Sequence, residues 1–500
     1  MSDKKSTILQ YTAAITIFAA ISIVYRLCLN PFTRITAQRV YYIDEVVFES
    51  IGKAWSEGIP LYTYYFDHKG PVLFLWFAIG YRLARTYTGV SLLAAIWDTI
   101  TSTLLYQIIY QFGWFQTNKG NHRNAVITTI LLQTCKLIWV VNMSITIATI
   151  TMPFLLTCIL LLMHWYKTDS FNKPDWRHGL YGLMCMLTLL CRASDGIYIV
   201  LVYISIWLCS LKKRKISDSI KLPVICIATG MIPFVIFSIY FIYYNVFHKF
   251  IFSAIISNFT YMKNAMQSPS KYWHLAALSI INILLLYYVK KHRNISISTF
   301  LQYAVPMSIH ILFFAKSPGY DQYIPAYVPD IILCLYIATK NYKLQSKRDY
   351  SKMAYKYIYL SGIAAAAVLM CSMDITKYYE QPILYMLDTY RQITEWFDKN
   401  NKSYITYNTW LCAGYDLDHD KQPYMKNIHN STWHISTGIT DIKDVQQELI
   451  NSNADYVISG VYSDAYGPSG DVATFTDDLY IPVYEWNTDD LVNIIYKRVQ

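Results

Sequence analysis

The chain has 500 residues, of which 54% are hydrophobic and 15% charged, and its mean hydropathy is +0.24. Soluble globular proteins carry about 25% charged residues, so an ordinary soluble enzyme is excluded, as is disorder, which needs low hydrophobicity. The net charge of +10 does not mark a nucleic-acid binder, because residues 1–373 hold 34 Lys and Arg against 14 Asp and Glu, whereas residues 374–500 hold 9 against 19.

About eleven runs are long and apolar enough to cross a bilayer, centred near Ala19, Leu104, Leu132, Ile159, Leu187, Tyr203, Phe234, Ile283, Val305, Leu333 and Ala364. Each spanning helix needs about 20 such residues. The first follows Lys4 and Lys5 and is long for a signal-peptide core, so it reads as an uncleaved anchor. With the N-terminus in the cytoplasm, the inner loops hold 21 Lys and Arg and the outer loops before the tail 11. The excess of cations on one side places the N-terminus inside and the tail outside. Seven cysteines lie in apolar runs, where a thiol is a small hydrophobe, so no disulfide framework is expected.

The first outer loop, residues 29–89, is far longer than an ordinary connection. Its second half, Val72 to Tyr87, is apolar but carries Arg82 and Arg85, a pattern that fits an interfacial helix better than a span. The same loop holds Tyr41-Tyr42-Ile43-Asp44-Glu45 and Tyr65-Phe66-Asp67-His68-Lys69-Gly70-Pro71. A carboxylate here can take a proton from a hydroxyl, and a lysine can hold a phosphate as a point charge. The alternative is a set of solvated loop charges.

Later outer loops offer fewer candidates. Arg192 and Asp195 flank the outer end of the fifth run, and either face a phosphate and a sugar or pair with each other at the surface. Tyr320 and Tyr323 follow the ninth run in Ser317-Pro318-Gly319-Tyr320-Asp321-Gln322-Tyr323, as substrate contacts or as a Pro-Gly turn with interface tyrosines. Asp98 and Lys136 sit inside apolar runs and are expected to pair with each other. From residue 374 the tail reads as helix Pro382–Lys399, strand 403–407, helix 441–453 capped by Asp441, and strand 454–459. That is a small soluble α/β domain, residues 374–500, beyond a membrane domain of residues 1–373.

The Asp44-Glu45 pair after the first run, the Gly58-Ile59-Pro60-Leu61-Tyr62 turn and Asp67-His68-Lys69-Gly70-Pro71 before an apolar helix resemble the GT-C membrane glycosyltransferases. The nearest branch is bacterial, similar to protein O-mannosyltransferases and the aminoarabinose transferase of lipid A. The resemblance implies an α-helical polytopic membrane fold with a small extracytoplasmic α/β domain. It implies transfer of a sugar, with inversion, from a polyprenyl-phosphate donor to a glycan, lipid or protein acceptor at the outer face of the inner (plasma) membrane, in cell-envelope glycoconjugate synthesis. Asp44 resembles the catalytic carboxylate and Lys69 the lysine on the donor phosphate, with Glu45, Asp67 and His68 as neighbours. The family often has a second acid in the outer loop after the third span. Here residues 142–153, Asn-Met-Ser-Ile-Thr-Ile-Ala-Thr-Ile-Thr-Met-Pro, hold none. No catalytic metal and no cofactor are expected, since a hard cation wants several oxygen ligands. The competing classes are an O-antigen polymerase or ligase, which favours a large outer loop late in the chain, and a transporter or flippase of lipid-linked sugars, which favours inverted repeats.

Overall fold

The computed structural model describes residues 2–29, 43–63, 67–112, 122–123, 125–130, 145–211, 216–258, helical positions scattered between 280 and 308, 382–407, 442–462, 476, 479–488 and 491–499. The elements are α1 (Ser2–Ile23, continued by a π turn, Val24–Leu29), α2 (Ile43–Ser56), α3 (Pro71–Ala84), α4 (Tyr87–Phe112), α5 (Ile147–Thr168), α6 (Trp176–Leu189), α7 (Ala193–Ser210) and α8 (Ile216–Tyr243). They continue with α9 (Phe247–Ile251, running into a π turn, Phe252–Ile256), α10 (Pro382–Lys399), β1 (Tyr404–Tyr407), α11 (Ile442–Asn451), β2 (Tyr456–Tyr462), β3 (Tyr480–Thr488) and β4 (Leu491–Arg498).

Among the described residues, four stretches are long and apolar enough to cross a membrane: Ile8–Leu27, Tyr87–Gln111, Ile147–Thr168 and Ser219–Tyr243. They correspond to the runs expected near Ala19, Leu104, Ile159 and Phe234. The runs near Leu187 and Tyr203 are helices of 14 and 18 residues, α6 and α7. Those near Leu132, Leu333 and Ala364 lie outside or almost outside the described residues, and those near Ile283 and Val305 are described only at scattered helical positions.

The chain divides into two units. The first comprises Met1–Arg26, Ala94–Tyr243 and Ala265–Met373. Its core holds Phe18, Tyr106, Leu155, Ile159, Trp165 and Tyr181. α5 is 78% buried over its apolar window and α8 only 22%, so α5 is the central helix of this unit and α8 a peripheral one. Small residues let α6 and α8 approach: Gly182 sits on the Cys226 carbonyl, and Thr229 Oγ1 donates to the Gly179 carbonyl at 2.8 Å. Such contacts replace the hydrophobic drive that lipid removes.

Asp98 has a partner that the sequence did not suggest: its carboxylate receives Arg26 Nε at 2.7 Å, both side chains being 2% exposed. Lys136 lies outside the described residues.

The second unit comprises Leu27–Leu93, Tyr244–Asn264 and Asp374–Gln500. α2 packs on α3 where Phe48 meets Phe74 and Phe77 at ring distances of 6.0 and 6.2 Å, and where Gly52 leaves no room for a Cβ beside Phe77. At 14 residues α3 is about 21 Å long, too short to cross the ~30 Å hydrocarbon layer. It stops at Ala84 because Arg85 turns left-handed, φ 52°, and its amide caps the Tyr81 carbonyl. Tyr87, expected in this helix, begins α4 instead.

The tail contributes a four-stranded sheet of order β1-β2-β4-β3. β1 and β2 run parallel with α11 between them in sequence, and β4 is antiparallel to both β2 and β3. The helix–strand–helix–strand pattern is as read from the sequence. The β3–β4 hairpin is additional, hidden by Pro482, which ordinarily argues against a strand. It is tolerated because β3 is an edge strand with a register shift between Pro482 and Tyr484. The cap expected at Asp441 lies outside the described residues.

Candidate active site

α2 begins the site. Asp44 occupies its second position, in the turn where a helix favours a carboxylate. Glu45, Glu49 and Lys53 follow at steps of four, which is one helical face. All three are buried, at 7%, 0% and 5% exposure. Glu45 Oε1 accepts the Tyr87 hydroxyl at 3.1 Å. Burying charge is costly unless it is paired and hydrogen-bonded, so this face is built around polar contacts rather than apolar packing.

The chain leaves α2 through Gly58, φ 101°, and reverses at Tyr62, φ 64°. Tyr62 is buried, and its hydroxyl donates to the Lys69 carbonyl at 2.8 Å. Burial, then the nearby Asp67 carboxylate, raises the Tyr62 phenol well above its ordinary value, so it stays a donor. Asp67 Oδ1 accepts the Lys69 amide at 2.8 Å, closing an Asx turn. Gly70 and Pro71 then start α3, with proline in the first turn, where its missing N–H costs nothing.

Asp67 and His68 are buried and Lys69 is half-buried. Lys69 Nζ meets His68 Nε2, and His68 Nδ1 lies 3.8 Å from Asp67 Oδ1. An ammonium only donates, so a ring nitrogen of His68 that bonds it acts as the acceptor. Among the described residues no carboxylate lies within ion-pair distance of Lys69. Its position is set by the turn: its amide bonds Asp67 Oδ1 and its carbonyl accepts the Tyr62 hydroxyl.

Arg192 and Asp195 lie in the first unit. Arg192 precedes α7, and Asp195 sits in its first turn. Arg192 Nε is 3.6 Å from Asp195 Oδ1, and Thr151 Oγ1 of α5 donates to Asp195 Oδ2 at 3.1 Å. At 7% and 1% exposure this is a buried pair, not the surface pair considered from the sequence. Tyr320 and Tyr323 lie outside the described residues, and the Asp44 side chain is not among those described. Among the described residues no three His, Cys, Asp or Glu side chains gather to hold a metal ion.

No family model matches the chain, and no curated protein matches it. Among solved structures it aligns with ArnT from Cupriavidus metallidurans, determined bound to undecaprenyl phosphate, with a TM-score of 0.54 over 97% of this chain and 98% of that one. The chain has the ArnT fold. At 13% identity the likeness is one of architecture. The apolar helices and the ArnT fold together make this a membrane-embedded helical protein.

Within this ArnT-like chain the structure gathers Asp67, His68 and Lys69 into one turn and ties Glu45 to Tyr87. It joins Arg192 to Asp195 separately. Sequence reading passed over Tyr62, Glu49, Lys53 and Asn258. A charge at every fourth position of α2 was a visible signal for Glu49 and Lys53. Tyr62 closes the Gly58–Tyr62 turn, and turn residues by themselves signal no role for its phenol. Asn258, whose amide donates to the His68 carbonyl at 2.9 Å from 190 residues away, had no local signal.

Proposed function

We propose that this protein is a membrane glycosyltransferase. It moves a sugar from a polyprenyl-phosphate donor to an acceptor hydroxyl on a glycan, lipid or protein at the outer face of the inner membrane, in cell-envelope glycoconjugate synthesis. The observation that carries the reading is Lys69, a cation held in position by its own turn, with no carboxylate within ion-pair distance among the described residues. Such a group suits an anionic ligand, and the ArnT structure with the same fold was determined with undecaprenyl phosphate.

In this reading Asp44 accepts the proton of the attacking hydroxyl while Lys69 offsets the charge that grows on the departing lipid phosphate. Direct displacement inverts the anomeric carbon, through an oxocarbenium-like transition state. Cations already in place at a developing charge supply several kcal/mol of stabilisation without reorganisation. Glu45, Asp67 and His68 support these two groups. We assign the phosphate contact to Lys69 rather than Arg192, whose guanidinium faces Asp195. Residues 374–500 form an extracytoplasmic domain, and residues 1–373 the membrane domain, with the N-terminus in the cytoplasm. Tyr320 and Tyr323 remain substrate contacts in this proposal.

The test uses purified full-length parent, Asp44→Asn and Lys69→Ala with labelled polyprenyl-phosphate sugars, reading free lipid phosphate and glycosylated product. Donor consumption by the parent alone supports the transferase and its site. Equal turnover by the variants removes the site. Translocation of a lipid-linked sugar without bond cleavage replaces the enzyme with a flippase.

A further inference from the structure

The turn that carries Lys69 is held from outside by a segment distant in sequence. Asn258 Nδ2 has two protons, and both are used: one bonds the Ala254 carbonyl of its own helix and the other the His68 carbonyl, each at 2.9 Å. Eight residues earlier, Phe250 is fully buried and its ring stacks on Tyr62 at 6.2 Å and 29°. Tyr62 in turn meets Phe74 edge-on at 6.5 Å and donates to the Lys69 carbonyl at 2.8 Å. The carbonyls of His68 and Lys69 are thus each gripped by a side chain, and both grips trace back to the segment Phe247–Asn258.

On an uninterrupted α-helix, residues eight apart point roughly 80° away from each other. Phe250 and Asn258 nevertheless reach the same short loop. The π turn Phe252–Ile256 lies between them. Its wider turn uses more residues per revolution and takes up that angular difference. Single π turns of this kind are uncommon and concentrate at functional sites.

We propose that Tyr62 and Asn258 are positioning residues, and that the π-interrupted segment Phe247–Asn258 is a splint that presents the Lys69 ammonium to the donor's phosphate. Neither residue touches substrate in this assignment; each acts through the backbone of the turn. The inference deepens the transferase reading by naming what orients its cation, and it rests on that reading only for the identity of the anion.

Four variants of the full-length protein test it: Asn258→Ala, Asn258→Asp, Tyr62→Phe and a deletion of Ala254, which turns the π stretch back towards α and swings Asn258 off the loop. The first readout is the rate at which an amine-specific reagent modifies Lys69, measured by mass spectrometry. The second is the Kd for undecaprenyl phosphate. A hydrogen bond lost from a positioned group is worth up to about tenfold in affinity. The splint predicts faster Lys69 modification in all four variants and a Kd raised by up to about tenfold. It also predicts that Asn258→Asp is worse than Asn258→Ala, because the aspartate keeps the shape but turns an acceptor on the His68 carbonyl. A purely packing role predicts the reverse order and a lowered Tm with Kd unchanged, and that result overturns the splint. Unchanged Lys69 modification in Tyr62→Phe and Asn258→Ala overturns it as well. If the modification responds but the parent does not bind undecaprenyl phosphate, the splint is upheld and the transferase reading falls.

Discussion

Arg26 and Arg192 in the first unit and Lys69 in the second are held in different ways. In the first, Arg26 meets Asp98 at 2.7 Å, and Arg192 faces Asp195, which is held in turn by Thr151. These are matched pairs, and such pairs close a structure on itself. In the second, Lys69 leans on the His68 imidazole, and its position is set through its backbone amide and carbonyl. Among the described residues no carboxylate lies within ion-pair distance of its ammonium. A buried ion pair tells little about function because it answers its own desolvation. An oriented cation with no carboxylate at hand among the described residues suits an anion.

On the proposed transferase reading, Lys69→Ala and Asp44→Asn should have the largest effect on activity and little on stability. Loss of a general base costs typically 10²- to 10⁴-fold, and loss of one preplaced charge stabiliser about 10²- to 10³-fold. Turnover of a polyprenyl-phosphate donor, with Tm measured alongside, separates the two quantities. An Lys69→Ala protein whose Tm falls sharply would erase the contrast.

Asp98→Asn should act the other way round. Removing one partner of a buried pair costs about 3–5 kcal/mol, because the remaining Arg26 charge stays buried. Thermal unfolding of detergent-purified protein should show this, and a joint Arg26→Met, Asp98→Leu change should recover much of the loss. Arg192→Gln belongs to the same class, with a smaller cost of about 1–3 kcal/mol for exposing the need of Asp195 for a donor. If Arg192→Gln instead weakens undecaprenyl phosphate binding at unchanged Tm, the guanidinium serves the ligand and the assignment to Lys69 alone fails.

The smallest effect lies in the tail sheet. Asp455 Oδ2 accepts the Ser403 amide at 2.9 Å and the Ser403 hydroxyl at 3.0 Å, which ties the start of β1 to β2. The Ser403 amide bond is the main reason its carboxyl is held below the usual value. A carboxyl depressed in the folded state contributes stability that is complete above its unfolded value of about 3.9 and is lost as pH falls through the folded value. Asp455→Asn should therefore cost less than about 1 kcal/mol near neutrality, as expected for a partly exposed group. It should also remove the acid dependence of amide exchange at Ser403.

Much of the architecture was legible before any coordinates. Helices in lipid must satisfy their own backbone groups locally, so a run of apolar residues is close to a sufficient statement. Among the described residues, four such runs meet that length and composition. The Asp67-His68-Lys69 turn was legible for a similar reason, since its three members are adjacent and its closing bond spans two residues. The amphipathic tail helices α10 and α11 were visible from their periodicity. The β3–β4 hairpin was not, because the meaning of Pro482 depends on whether its strand lies at an edge.

Residue order alone sets the local part: which stretches are apolar helices, where the charge is divided between body and tail, and which loop carries the contiguous acidic and basic residues. Which surfaces meet is settled by the folded chain. Asp98 found Arg26, 72 residues away. α5 became central and α8 peripheral although both are strongly apolar. Asn258 reached the His68 carbonyl across 190 residues. Hydropathy and backbone hydrogen bonding act within a turn or two of the chain. A salt bridge, a packed glycine or a side chain on a distant carbonyl depends on the closure of loops between them, and local residue order carries no record of that.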